Sequence, residues 1–189
     1  MSTSPPPRTS STSPPAAIKR LLQELKQAAE EPNPAVLHLG PISEDDLFHW
    51  EAVLKGMRGT PYEGGLWLLD IKIPSKYPSE PPTIVFKTPI CHPNIDFKNG
   101  NICLTLLTAE HWTPVYTLSS TLTAIQQLLT HPTPDSPLNI DIANLWREQD
   151  NIGAEALIRF WTGEIRWHGE GNGFWVSEKR RGSGGKLGG

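Results

Sequence analysis

Residues 66–86 read LWLLDIKIPSKYPSEPPTIVF, and the architecture turns on this stretch. From Leu66 to Ile73 the side chains alternate: Trp67, Leu69, Ile71 and Ile73 share one face of an extended strand, while Leu66, Leu68, Asp70 and Lys72 fall on the other. One face therefore belongs to a core. Pro78, Pro81 and Pro82 then remove backbone donors, so residues 77–82 form a rigid loop and not more ladder. Thr83–Phe86 resumes an extended apolar run. Upstream, Val36–Leu39 and Phe48–Leu54 are bounded by turn signals in the same way, with Gly64-Gly65 turning the chain before the third run. Four short strands in succession predict an antiparallel meander.

Helices flank these strands. From Ala16, apolar residues at Ile18, Leu21, Leu22, Leu25 and Ala29 follow the spacing of one helical face. Lys19, Arg20 and Lys26 occupy the other face, as on any solvated helix. After the strands, Leu118, Leu122, Ile125, Leu128 and Leu129 form a second stripe, entered through a Thr/Ser-rich stretch suited to capping. Residues 139–149 and 153–162 predict two shorter helices with Leu145, Trp146, Leu157, Ile158, Phe160 and Trp161 available for burial. The expected class is α+β: an N-terminal helix, a four-stranded antiparallel meander, then C-terminal helices. Residues 1–15 are too rich in Ser, Thr and Pro to offset the entropy of ordering, and from His168 Gly, Lys and Arg dominate apart from Phe174-Trp175-Val176. The expected organisation is an arm over 1–15, one domain over 16–167 and a Gly-rich tail over 168–189.

The chain has 189 residues and a net charge of −3, so no global positive field invites nucleic acid. No apolar run approaches the roughly 20 residues that span a bilayer, and the N-terminus lacks the apolar core of a signal peptide. Direct membrane insertion is not expected, and the cytosol is the expected compartment. Two cysteines, Cys91 and Cys103, make no disulfide scaffold, which leaves open only a single bridge between them. A zinc site from Cys91, His92, Cys103 and His111 has no CxxC pair and fits no common structural spacing, so no metal is assigned.

Residues 92–107, HPNIDFKNGNICLTLL, carry the chemistry. Asn99-Gly100 reverses the chain, because Gly accepts positive φ without steric cost, and so folds Asn94 and Cys103 back onto one surface. A nucleophile then stands beside a carboxamide able to steady an oxyanion. No Lys or Arg adjoins Cys103, and no histidine sits in a recognisable protease signature, which disfavours a papain-like enzyme. Cys91 reads as a small buried apolar residue.

The His92-Pro93-Asn94 tripeptide, the Ile102-Cys103-Leu104 that follows, Trp112-x-Pro114 and the Tyr77-Pro78-x-x-Pro81-Pro82 loop together resemble the ubiquitin-conjugating enzyme family. The resemblance covers residues 16–167 and implies that family's fold. It implies that Cys103 carries ubiquitin as a thioester and that Asn94 either steadies the oxyanion or shapes the loop. His92 becomes a brace for the turn and Ser136, in Asp135-Ser136-Pro137-Leu138, a gate beside the cysteine, with an ordinary turn residue as the alternative. Many relatives have Asp two positions after the cysteine, where this chain has Thr105. Lys19 and Arg20 become contacts for the activating enzyme. Arg20, Ser79, Pro81, Thr113 and Pro114 become contacts for a RING-type ligase, and Ser79, replacing a bulky aromatic, implies a narrower choice of ligase.

HWTPVYTLSSTLTAIQQLL, PDSPLNIDIANLWR and GAEALIRFWTGEIRW resemble the fungal peroxisomal branch of the family. That implies the peroxisomal import receptor as substrate, a RING-type peroxisomal ligase, and a membrane-anchored peroxin that recruits the enzyme to the cytosolic face of the peroxisome. No cofactor is implied, since ATP is consumed by the activating enzyme and no phosphate-cradling glycine loop occurs here. Two readings stand against this: a conjugating enzyme for another ubiquitin-like modifier, and a non-catalytic variant that only binds ubiquitin or a ligase.

Overall fold

The computed structural model of the chain describes residues 15–133, 137–167, 169 and 174–176. The predicted arm, apart from Pro15, and most of the predicted tail lie outside them. Helix α1 (Ala16–Glu30) is followed by strands β1 (Val36–Ser43), β2 (Asp46–Lys55), β3 (Leu66–Lys72) and β4 (Thr83–Phe86), paired antiparallel in the order β1-β2-β3-β4. Helices α2 (Leu118–Thr130), α3 (Ile140–Arg147) and α4 (Asn151–Glu164) come after them. The α+β meander with flanking helices is the architecture read from the sequence.

The alternation in β3 places Trp67, Leu69 and Ile71 inward, where they meet Trp50, Ala52 and Leu54 of β2. Across the sheet runs α2, whose buried face is Leu118, Leu122, Ile125 and Leu129. A capping box starts this helix: Thr117 Oγ1 accepts from Ser120 N at 3.0 Å and Ser120 Oγ accepts from Thr117 N at 3.0 Å. Burying a Leu or Ile of this kind contributes about 1.5–3 kcal/mol, so the sheet–helix seam supplies much of the driving force.

Three elements differ from the sequence reading. β1 continues through Gly40-Pro41 to Ser43, because β1 is an edge strand and a proline there forfeits no ladder bond that the sheet needs. The buried face of α1 is Ala17, Leu21 and Glu24, with Leu22 and Ala29 exposed, so the helix is rotated from the expected stripe and buries a carboxylate. Residues 174–176 are a strand, β6, paired antiparallel with β5 (Ile165–Trp167). The boundary placed at 167/168 thus falls inside a hairpin; the Gly-rich intervening composition concealed it.

Candidate functional site

After β4 the chain enters residues 91–95, all buried. His92 is fully buried and spends both ring nitrogens on the fold: Nε2 donates to the Leu128 carbonyl at 2.9 Å and Nδ1 accepts from Asn94 N at 3.0 Å. Burial pulls its pKa down to about 3, against a smaller opposing effect of the Leu128 carbonyl, so the ring is neutral. With both nitrogens occupied, His92 is available neither as a base nor as a metal ligand. Among the described residues no group of three or more His, Cys, Asp or Glu gathers to hold an ion.

The turn read at Asn99-Gly100 forms. Asp96 Oδ1 accepts from Lys98 N and Asn99 N, and these donors, backed by Asn99 Nδ2, hold the Asp96 carboxyl below its usual range. Gly100 takes φ 73° and donates to Asp96 O at 2.9 Å. Its own carbonyl accepts from Phe86 N at 2.9 Å, docking the hairpin on β4 so closely that a Cβ would lie 1.9 Å from Phe86 O. The return limb brings Cys103 opposite Asn94, Cys103 N donating to Asn94 O at 2.8 Å.

Cys103 is half-exposed at the end of this limb, and a 3-10 turn, Thr105–Leu107, follows. Thr105 is exposed, its carbonyl accepting from Thr108 Oγ1 at 2.8 Å. Cavities of about 440 and 520 Å³ flank the loop, one lined by Pro93 and Pro132, the other by Cys91, Asp96 and Lys98. Neither is lined by Cys103. A half-exposed thiol outside both cavities suits an acyl group delivered by a protein better than an enclosed small molecule. Cys91 is a different environment: burial pushes its thiol up to about 12, with a further push from Asp141.

The Asn94 carboxamide is turned away from a free surface. Its Nδ2 donates to Thr133 O at 2.7 Å and its Oδ1 accepts from Thr133 N at 2.8 Å. On the far side, the Pro93 carbonyl accepts from Leu138 N at 2.7 Å and Asn139 N at 3.0 Å. The His-Pro-Asn turn thus clasps both ends of the segment bearing Ser136, which itself lies outside the described residues. Sequence reasoning missed Thr133, Leu138 and Asn139 because they act through backbone atoms, which leave no residue-type signal.

The second group of candidates lies at the junction of α1 with the 77–82 and 112–116 loops. Lys19, Ser79, Thr113 and Pro114 are exposed and Pro81 half-exposed. Trp112 ties the loops together, its Nε1 donating to Pro78 O at 2.7 Å. Arg20 is committed within the fold: Nε to Glu24 Oε1 at 2.6 Å, Nη1 to Pro114 O at 2.8 Å and Nη2 to Tyr116 O at 2.8 Å. It builds the surface that it was expected to present. The missed residue here is Glu24, and a signal existed, since it shares a helical face with Ala17 and Leu21.

The ubiquitin-conjugating enzyme family model matches residues 20–159. A ubiquitin-conjugating enzyme E2 PEX4 of Gibberella zeae is 44% identical over 161 residues, covering 82% of this chain and 93% of that protein. The E2 pex4 of Dictyostelium discoideum is 48% identical over 143 residues, covering 76% and 95%. Among solved structures, Pex4p of H. polymorpha in complex with the soluble domain of Pex22p superposes with a TM-score of 0.70 at 35% identity, covering 78% of this chain and 97% of that one. The chain belongs to the ubiquitin-conjugating enzyme family. It is a ubiquitin-conjugating transferase, and the helix–meander–helices architecture is that family's fold.

Proposed function

We propose that Cys103 accepts ubiquitin as a thioester and that the chain passes it, with a RING-type ligase, to the peroxisomal import receptor. The observation that carries this reading is the Cys103 environment: a half-exposed thiol whose backbone is fixed to Asn94, whereas the second thiol, Cys91, is buried and held protonated. In loading, the Cys103 thiolate attacks the thioester carbonyl of the charged activating enzyme, whose own thiolate leaves. In discharge, an acceptor amine or thiol attacks the new thioester, the Cys103 thiolate leaves and the acceptor proton passes to solvent. A half-exposed thiol is both attackable and able to leave. The chain uses no cofactor of its own in this scheme.

Peroxisomal placement is supported by the relatives called PEX4 and by the Pex4p complex with Pex22p. We place the enzyme at the cytosolic face of the peroxisomal membrane, recruited by a membrane-anchored peroxin of the Pex22p kind. Among the described residues no helix is long and apolar enough to cross a membrane. Lys19 serves the activating enzyme, and Ser79, Pro81, Thr113 and Pro114 the ligase, whose choice Ser79 narrows. Ser136 gates the acceptor's approach.

A charging assay with ubiquitin, activating enzyme and ATP tests the centre of this proposal. The expected adduct is reductant-sensitive in the wild type and in Cys91→Ser, and reductant-resistant in Cys103→Ser. No adduct with ubiquitin overturns the reading in favour of another modifier, or of a binding module if those fail as well.

A further inference from the structure

Below the α1, 77–82 and 112–116 surface lies a carboxylate that the chemistry above does not use. Glu24 is 6% exposed. Its Oε1 accepts from Arg20 Nε at 2.6 Å and from the Tyr77 hydroxyl at 2.7 Å, and its Oε2 accepts from Leu118 N at 2.7 Å. Three donors from three segments thus converge on one buried anion, which meets the requirement that a buried charge be paired and hydrogen-bonded. Tyr77 opens the first loop and Leu118 begins α2, directly after the second.

Glu24 reaches further through Arg20. Holding the guanidinium by its Nε end, it leaves Nη1 and Nη2 to grip the carbonyls of Pro114 and Tyr116 while Cζ lies 5.8 Å from the centre of the Tyr77 ring. Opposite, Trp112 bonds Pro78 O. The two loops therefore share no covalent link but have one electrostatic hub. Outward of it project Ser79, Pro114 and Val115, the last 84% exposed.

We propose that Glu24 is a positioning residue for ligase docking: through Arg20 and Tyr77 it fixes the spacing between the 77–82 and 112–116 loops, and so sets the affinity for the ligase. The inference rests on reading those loops as the ligase surface. Its physical basis is preorganisation, since loops already held in the docking geometry spare the ligase the cost of ordering them. Gln at this position matches the shape of Glu, yet its amide nitrogen would face one of the three donors. The hub then holds the competent arrangement in only a fraction of molecules, and apparent affinity falls by that fraction.

The test is single-turnover discharge of the ubiquitin-charged full chain against increasing concentrations of a RING domain, chosen from a panel as the first that stimulates the wild type. Glu24→Gln is expected to raise the half-saturating concentration by about tenfold while the plateau rate is kept. It should also shift the Trp112 indole N–H resonance. Arg20→Lys, which keeps a cation for Glu24 but cannot bridge two carbonyls, is expected to raise the half-saturating concentration less. Val115→Asp, a change confined to the surface, reports on the docking site itself. If Val115→Asp weakens docking and neither hub variant does, or if the hub variants lower only the plateau, the inference is overturned. If Val115→Asp has no effect either, the reading of the docking surface fails and the inference with it.

Discussion

Asn94 and Thr133 exchange two hydrogen bonds: the Asn94 side chain donates to the Thr133 carbonyl at 2.7 Å and accepts from the Thr133 amide at 2.8 Å. The carboxamide therefore closes a ring with the backbone at the entrance to the Ser136 segment. In this arrangement it braces the loop, one of the two roles open to it in the sequence. Asn94→Ala removes both hydrogen bonds from a buried carboxamide to the exposed Thr133 backbone, each of which contributes about 0.5–1.5 kcal/mol of stability. Loading on Cys103 is expected to persist and discharge to slow, with the unfolding temperature lowered in parallel. A slowed discharge with an unchanged unfolding temperature would return the oxyanion role; equal discharge rates would sink both.

Strands β3 and β4 were readable because alternation and proline placement are local consequences of pleat and ladder, and the Asn99-Gly100 reversal because positive φ at Gly100 selects glycine. The chemistry-bearing hairpin was readable for that reason. What stayed hidden depends on distant partners. Thr133 works through its amide and carbonyl, so any residue type but proline would serve there. Arg20 looked like an exposed cation because nothing local reveals carbonyls 94 and 96 residues away. Glu24 interrupted an apolar face, and that interruption was the available clue.

His92 gives a pH dependence with a definite sign. The unfolded imidazole titrates near 6.5, whereas burial pulls the folded one to about 3. Between these values the unfolded chain binds the extra proton. This contribution is thus complete above about pH 6.5 and is lost as pH falls, with a slope approaching 1.4 kcal/mol per pH unit. Replacing the ring by Asn removes it. The destabilisation caused by His92→Asn, read from urea midpoints, is expected to be largest near pH 7.5 and to shrink toward about pH 4.5. A gap independent of pH would contradict the buried neutral ring.

The two thiols are expected to separate cleanly in reactivity. Cys91 is buried and its thiol pushed up to about 12, so very little thiolate exists at neutral pH and little of it is reachable. Cys103 is half-exposed. Intact-mass analysis after brief iodoacetamide treatment of the native chain should show one adduct, absent in Cys103→Ser and retained in Cys91→Ser. Two adducts forming at similar rates would show that the segment around Cys91 opens readily.

Gly100 and Gly59 have nearly the same backbone conformation, φ 73° and 74°, but different surroundings. Around Gly59 a Cβ meets nothing within 4 Å, so Gly59→Ala bears only the left-handed penalty of about 1–2 kcal/mol. At Gly100 the added Cβ would fall 1.9 Å from the Phe86 carbonyl oxygen, and that atom is backbone of β4 and cannot swing aside. Gly100→Ala must therefore lever the hairpin off β4, breaking the Phe86 N to Gly100 O bond and shifting Cys103 relative to Asn94. The expected result is a loss of stability clearly larger than for Gly59→Ala, accompanied by slower loading, which Gly59→Ala leaves intact. Chemical denaturation of both variants beside a charging time course reads the two effects together. Equal stabilities and equal loading would show that the hairpin's seat on β4 does not position the thiol.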